Sequence, residues 1–378
     1  MNLEVPSREE LRLLVERNLK KQGFIISEGS LIAPRNHGKD DIRKRHSLAV
    51  RHKIDQGEKS LRRYETKLLD YIANGNEIRP DGIRPRIVEV MPDSEEELLF
   101  RYASLHWSIP LSSGYGRRLR FVVMDESNGN LIGVIGLGDP VFGLRARDEW
   151  TGWNHEQRRE RLRYVMDAFV LGAVPPYSML LCGKLIALLA TSNEVRRAFK
   201  RKYGKRQSVI AEREHDGRLA MITTTSALGR SSIYNRLRFH KDYVYQSVGV
   251  TSAWGEIYFS NGLYGPLTAY AEANLQPTAK QSAWGNGFRN RREVVRKCLQ
   301  DIGLPESVLQ HRIEREVFVV PLAKNTQAFL RGDNQRLLSF DRSSDSLFAW
   351  FRERWLLPRS VRDDRFRQWE REKWRLWE

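Results

Sequence analysis

Two apolar runs, Leu119–Asp125 (LRFVVMD) and Asn130–Asp139 (NLIGVIGLGD), are separated only by ESNG, and this juncture constrains the fold more than any other stretch of the chain. Runs rich in Val, Ile, Leu and Phe suit strands, and Asn128-Gly129 supplies residues that tolerate the positive φ of a tight hairpin turn. An antiparallel pair is therefore expected, and its neighbours must complete a sheet. MDAFVLGAVPP and Leu219–Thr225 read as further strands, with DYVYQSVGV and GEIYFS as the last ones. EEELLFRYASLHW, NHEQRRERLRYV, Ser178–Tyr203 and Ser231–Phe239 carry helical patterns, and DPVFGLRARDEWTGW reads as a polar, aromatic loop. The sum is an α+β fold: a mixed, mainly antiparallel sheet flanked by helices.

The ends have another texture. Glu9–Lys21 and Ile42–Ile72 keep a helical rhythm, which makes residues 1–76 a helical, basic N-terminal region, and IRPDGIRPRIVEV reads as a punctuated linker. Residues 95–260 form the expected α/β core, 261–332 a C-terminal part of the same domain, and 333–378 a helical extension. In that extension Trp350, Trp355, Trp369, Trp374 and Trp377 alternate with arginine and acidic residues, a pattern suited to docking on this protein or on a partner.

Charge narrows the partners. A formal net charge of +17 and a pI near 10.0 exceed what solubility asks for and point to a polyanion, nucleic acid ahead of an anionic membrane. Arg35, His37, Lys39, Arg43, Lys44, Arg45, His46, Arg51, His52 and Lys53 cluster in one short span, which is either a solvated helix face or a phosphate-contacting one. Cys182 and Cys298 lack ligand spacing, so neither a disulfide framework nor a metal site is indicated, as suits a reducing cytoplasm. The start MNLEVPSREELRLL has no apolar leader core. Pro175, Pro176 and Lys184 interrupt the longest apolar stretch, Ala168–Ala190, so no membrane span is expected.

The run TTTSALGRSSIYNRLRF turns from a strand through Gly229 towards Phe239, five residues beyond Tyr234. It resembles the tyrosine-x-x-x-x-phenylalanine ending of GNAT-type acyltransferases. There the phenol lies near the leaving thiol of coenzyme A and acts as a general acid, which makes Tyr234 a catalytic candidate; otherwise it is a half-buried tyrosine that staples the segment to the sheet. The order hairpin, helix, strand, turn, helix, strand also resembles GNAT order. VPPYSMLLCGKLIALL stands where those enzymes cradle the pyrophosphate of acyl-CoA. Tyr177, Gly183 and Lys184 are the cofactor-binding candidates, yet Met179, Leu180 and Leu181 occupy positions where glycine or arginine is expected, which argues against ordinary coenzyme A binding.

Asp139 and Asp148 are the candidate general bases, with Glu256 a third; Asp139, ahead of Pro140, also suits a turn cap. Arg117, Arg118, Arg145, Arg147 and Arg230 follow glycines or turns, and a GNAT-like sheet would gather them into a basic floor beside Tyr234. Arg236, and Arg289 and Arg292 in WGNGFRNRREVV, complete the nucleic-acid-binding candidates. Thr223, Thr224, Thr225 and Ser226 form a hydroxyl row, Trp150 and Trp153 suit packing or base stacking, and His311 suits a structural role.

SGYGRRLRFVVMD, GLGDPVFGLRARDEWTGW, MDAFVLGAVPPYSMLLCGKLIA, TTTSALGRSSIYNRL, WGNGFRNRREVV and HRIEREVFVVPLAKN occur in order from about Arg35 to Gly332. Together they resemble the DruA family of Druantia anti-phage defence systems. The resemblance implies a component of a multi-gene bacterial antiviral system that acts with a helicase-type partner and other subunits, and it implies no mechanism. Three functions follow as expectations: a nucleic-acid-binding subunit, DNA first, with a basic cleft in a GNAT-like domain; an active transferase acting on a base or a protein amine; and a structural hub that uses the aromatic tail.

Overall fold

The structure, a computed structural model, describes residues 5–27, 30–32, 38–111, 116–205, 216–252, 257–259, 261–278, 284, 288–309 and 313–378, with backbone alone at 26, 27, 30, 31, 257, 288 and 289. Its contacts divide the chain into two units. One comprises Met1–Gln56, Trp107–Pro110 and Ser252–Glu314; the other comprises Gly57–His106, Leu111–Thr251 and Arg315–Glu378.

The first unit is helical. Ser7 opens the helix Arg8–Lys21 with a capping box: its hydroxyl accepts from Glu10 N at 3.2 Å, and the Glu10 carboxylate accepts from Ser7 N at 2.8 Å. Leu11, Val15 and Leu19 recur at helical spacing and are buried with Leu267 and Ala271 of helix Tyr264–Asn274 and with Val294, Val295 and Leu299 of helix Phe288–Asp301. Ile257–Phe259, expected as strand, is a single 3₁₀ turn whose Tyr258 and Phe259 belong to this core. Lys39, Arg43, Lys44 and Arg51 are exposed on helix Lys39–Leu61, most of which lies in this unit.

The second unit is built on a seven-stranded sheet. Its strands are β1 (Pro85–Glu89), β2 (Arg118–Asp125), β3 (Asn130–Gly138), β4 (Val165–Ala173), β5 (Met221–Thr225), β6 (Gln246–Val250) and β7 (Glu316–Pro321). They lie in the order β6-β7-β5-β4-β3-β2-β1, all antiparallel except β4 with β5. The β2-β3 hairpin turns at Gly129, φ 76°, as Asn128-Gly129 predicts. Two strands were not expected. IRPDGIRPRIVEV reads as a linker, but its second half is edge strand β1, where Pro85 at the strand start removes no central ladder bond. β7 lies between β5 and β6. Outside the ladder, Thr251 N donates to Arg315 O at 2.9 Å and Arg315 N to Thr251 Oγ1 at 3.2 Å, so the chain leaves β6 and returns to β7 across one pair of residues.

One sheet face packs Ile135, Leu137, Met166, Ala168, Ile222, Phe318 and Val320 against helices Cys182–Leu189 and Asn193–Tyr203. These two helices correct the single long one expected over Ser178–Tyr203: Ser192 breaks it by capping Val195 N at 3.4 Å. The expected helix Ser231–Phe239 is also absent. Ser231 Oγ accepts from Ile233 N and Tyr234 N, and Asn235 Nδ2 donates to Ser231 O, so side chains satisfy the backbone in a turn. Arg238–Phe239 then pairs with Asp242–Tyr243 as a small hairpin.

Residues 333–378 fold onto their own unit. Leu347, Phe351, Leu356 and Phe366 join the sheet core, each contributing about 1.5–3 kcal/mol by burial. Trp374 stacks on His106 with centroids 3.7 Å apart, and burial pushes that imidazole down to about 3. Glu65 receives Leu376 N at 2.6 Å, Trp377 N at 3.4 Å and the Tyr102 hydroxyl at 2.9 Å. Of the two docking partners that the tryptophan spacing allowed, the tail occupies this protein, so its buried tryptophans are not the hub surface expected.

Candidate functional site

Strand register sets a row across the sheet face opposite those two helices. Arg118 of β2 faces Gly138 of β3, Gly138 faces Asp167 of β4, Asp167 faces Thr223 of β5, and Thr223 faces Val319 of β7. Neighbouring strands lie about 4.8 Å apart, which places Arg118 roughly 10 Å from Asp167 with a glycine gap between them.

Phe169 lies over that gap. A β-bulge leaves it without a register partner between Gly136/Val170 and Leu137/Ala168, and an extra residue at a bulge re-aims its side chain. A Cβ added to Gly136 would stand 2.5 Å from Phe169 Cζ, and one added to Gly138 would stand 3.4 Å from Phe169 Cδ1. The ring thus rests on β3, closely enough at Gly136 that only glycine admits it there and in van der Waals reach of Gly138. It is half-buried, and the Arg118 guanidinium lies 5.8 Å from its centroid. Burial, then the charge of Arg120, lowers the Arg118 pKa; Arg120 itself pairs with Glu97 at 2.7 Å.

Asp167 is the acidic member. Its carboxylate accepts from Thr223 Oγ1 at 2.7 Å, and its pKa is pushed up to about 6, chiefly by burial, with the Thr223 bond and the Arg147 charge opposing. Asp167 and Thr223 form the last pair of the parallel ladder between β4 and β5, so they stand where the two strands cease to pair. Thr224 Oγ1 bridges to Ala168 O at 2.9 Å just beyond. Open crevices at the carboxyl ends of parallel strands are favoured ligand positions.

Tyr234 approaches this fork from the other face. It stacks on Tyr245 with centroids 4.7 Å apart and bonds Thr224, and burial pushes its phenol up to about 12, with the Asp167 charge adding to the rise. Other candidates are dispersed. Asp139 accepts from Arg117 N at 2.8 Å and Arg117 Nε at 2.6 Å, and Arg117 also donates to Arg163 O and Val165 O; the pair closes the turn at Gly116, φ 75°. Asp148 accepts from Leu144 N, Arg147, Arg158 and Trp153 Nε1, which occupies both its oxygens. Arg147 is fully buried and also donates to Val141 O and Phe142 O. The expectation of one basic floor formed by Arg117, Arg118, Arg145, Arg147 and Arg230 is corrected accordingly: Arg117 and Arg147 are held inside the fold, Arg145 is exposed and paired with Glu149, and Arg230 is exposed on the turn after β5.

Tyr177 is buried, donating to Asp125 Oδ2 at 2.9 Å. Gly183 faces Ile233, which a Cβ would meet at 3.3 Å, and Lys184 Nζ donates to Ser232 O and Ile233 O. The turn expected to cradle a pyrophosphate is thus occupied by residues 232–233. Arg236 is exposed with φ 65°, and Arg292 is exposed on the first unit's helix Phe288–Asp301. The Arg289 side chain, Glu256, His311 and the glycines Gly285 and Gly287 lie outside the described residues. Trp153 is buried, and Trp150 packs against the same cluster.

The family model described as Druantia protein DruA matches residues 36–332. The chain belongs to the DruA family. The curated Druantia protein DruA of Escherichia coli (strain UMEA 4076-1) is 40% identical over 363 residues, which cover 96% of this chain and 90% of that protein. No solved structure matches. At the level these matches reach, the chain is a DruA component of Druantia anti-phage defence, a multi-component system. Arg118, Phe169, Asp167 and Thr223 all lie inside the matched segment, which ends at Gly332, the left-handed cap of helix Thr326–Arg331. Among the described residues, no helix is long and apolar enough to cross a membrane.

Asp167 and Phe169 are the site residues that sequence reasoning passed over. Each sits inside the apolar run MDAFVLGAV, where the acid looks like an interruption and the aromatic like core. The signal was the pair of glycines in IGLG on the neighbouring strand, which becomes a platform once register is known.

Proposed function

We propose that this DruA-family chain engages nucleic acid, DNA in the first instance, through the part of the sheet face that carries the half-buried Arg118, Phe169 and Asp167, with Thr223 buried behind Asp167. The carrying observation is the phenyl ring resting on a glycine floor beside a guanidinium: aromatic faces take nucleobases by stacking, and arginine adds phosphate contact or stacking. Also in support is the excess of Lys and Arg over Asp and Glu between 111 and 251, which contributes more than half of the net +17. A GNAT-like sheet remains part of this reading, because hairpin, charged helix, strand, turn, helix and strand follow in the order that the resemblance implies. A helicase-type subunit of the system would act on the same nucleic acid.

The test is binding of the purified chain to fluorescent single- and double-stranded DNA across a salt series. Expected is affinity that falls with salt by about 0.9 per phosphate contact on a logarithmic scale, and a loss of tenfold or so in Phe169→Ala combined with Arg118→Ala. Absence of binding, or binding indifferent to that double variant, removes the face from this role.

A second reading, group transfer to a base or an amine, has one observation in its favour: Asp167 and Tyr234 reach the same fork from opposite faces. It requires a mass increase on a nucleotide or polypeptide that Tyr234→Phe abolishes.

A further inference from the structure

We infer that the face takes a single unpaired nucleobase stacked on Phe169, and that Asp167 reads its edge by accepting a hydrogen bond from an exocyclic amino group. This rests on the nucleic-acid reading above and adds the substrate class.

Unpaired follows from the geometry of the platform. Phe169 lies against the sheet with its underside on Gly136 and Gly138, so a ring can stack on it only with a free face of its own. Bases inside a duplex have both faces covered, and proteins that stack a base on an aromatic side chain take it from single strands or flip it out. Amino-bearing follows from Asp167. It lies two residues from Phe169 on the same strand, about 6.6 Å away, which is within the reach of a base centred on the phenyl. On the same row Arg118 stands at the opposite side of the glycine gap. That leaves a guanidinium for the backbone or ring on one side and a carboxylate for the edge on the other.

The carboxylate has acceptor capacity to spare, because among the described residues its hydrogen-bond donor is the Thr223 hydroxyl at 2.7 Å. An ionised carboxylate accepts from the amino group of cytosine or adenine and repels the carbonyl of thymine or uracil at the same position. The charged and titratable groups around it are Arg147 from helix Arg145–Thr151, Arg118 from β2 and the Tyr234 phenol beyond Thr224. Above about pH 6 the group is ionised and accepts. Below it, the carboxyl gains a proton to donate, and the discrimination weakens.

The experiment compares short DNA strands that are identical except for cytosine or uracil, by fluorescence anisotropy with the full chain at about pH 7.5 and about pH 5. Expected are binding of the cytosine strand roughly five- to tenfold tighter at the higher pH, a smaller ratio at the lower pH, and a ratio within about twofold in Asp167→Asn, whose amide both donates and accepts. Thr223→Val, which releases the carboxylate without removing it, should narrow the ratio as well. Circular dichroism confirms that both variants fold. Equal affinity for the two strands in the wild type, or a preference that survives Asp167→Asn, overturns the inference while leaving DNA binding in place. Failure to bind either strand, or indifference to Phe169→Ala with Arg118→Ala, overturns the reading beneath it.

Discussion

Asp167 stands where an amide of the same shape would suit the fold better. The carboxyl titrates at 3.8 when unperturbed and at about 6 in the folded chain, so folding binds a proton between those values, and stability falls as pH rises through that window. The loss is complete above about pH 6 and absent below about pH 4. Asp167→Asn is therefore expected to stabilise the folded chain at neutral pH by about 1–2 kcal/mol once partial exposure is allowed for, and so to raise its melting temperature, with the gain vanishing near pH 4. Thermal melts across pH check this. A gain that is independent of pH would mean that packing, not charge, is responsible. Asp148 is the contrast, since four donors fill the acceptor sites of its two oxygens and leave none for a ligand. A carboxylate kept at a cost to stability marks a working position more reliably than one that is fully satisfied.

At the scale of elements, what could be read in advance was what local chemistry fixes. Asn128-Gly129 dictated the β2-β3 hairpin, and the alternation around it placed the sheet. Local chemistry also misled where side chains compete with the backbone: Ser231 and Asn235 turn a helical pattern into a turn, and Ser192 divides one apparent helix into two. β1 was hidden because prolines read as punctuation, and β7 because its partners are distant in sequence. The site was hidden for a related reason, since a bulge and a glycine floor exist only after β3 and β4 pair. The tail was the most ambiguous element, and Glu65 decides its place by accepting Leu376 N, Trp377 N and the Tyr102 hydroxyl. Glu65→Ala leaves these donors without their charged acceptor. It should cost about 2–4 kcal/mol and release amide protection at 374–378 in hydrogen exchange. A variant that kept both stability and protection would show that aromatic packing alone holds the tail.

At the scale of the whole molecule, the two units draw on interleaved stretches of chain, yet the sheet unit's own residues hold both its core and its candidate site. The chain 57–251 joined to 315–378 through an Asn-Gly turn should melt cooperatively and keep the salt-sensitive binding proposed for the sheet face. Circular dichroism and the same anisotropy assay test this, and a molten product would show that the sheet unit needs the excised residues in order to fold.

The hydrogen bonds between Thr251 and Arg315 carry a consequence for descent as well. With that one doorway latched, lengthening whatever runs between β6 and β7 costs closure entropy that grows only as the logarithm of its length. Related chains are free to vary the stretches between the helices that supply Leu267, Ala271, Val294, Val295 and Leu299 to the first unit's core, while their sheets, and the phenyl on its glycine floor, stay in register. Length differences among relatives should therefore concentrate between those helices, within residues 252–314, rather than in the strands that flank them.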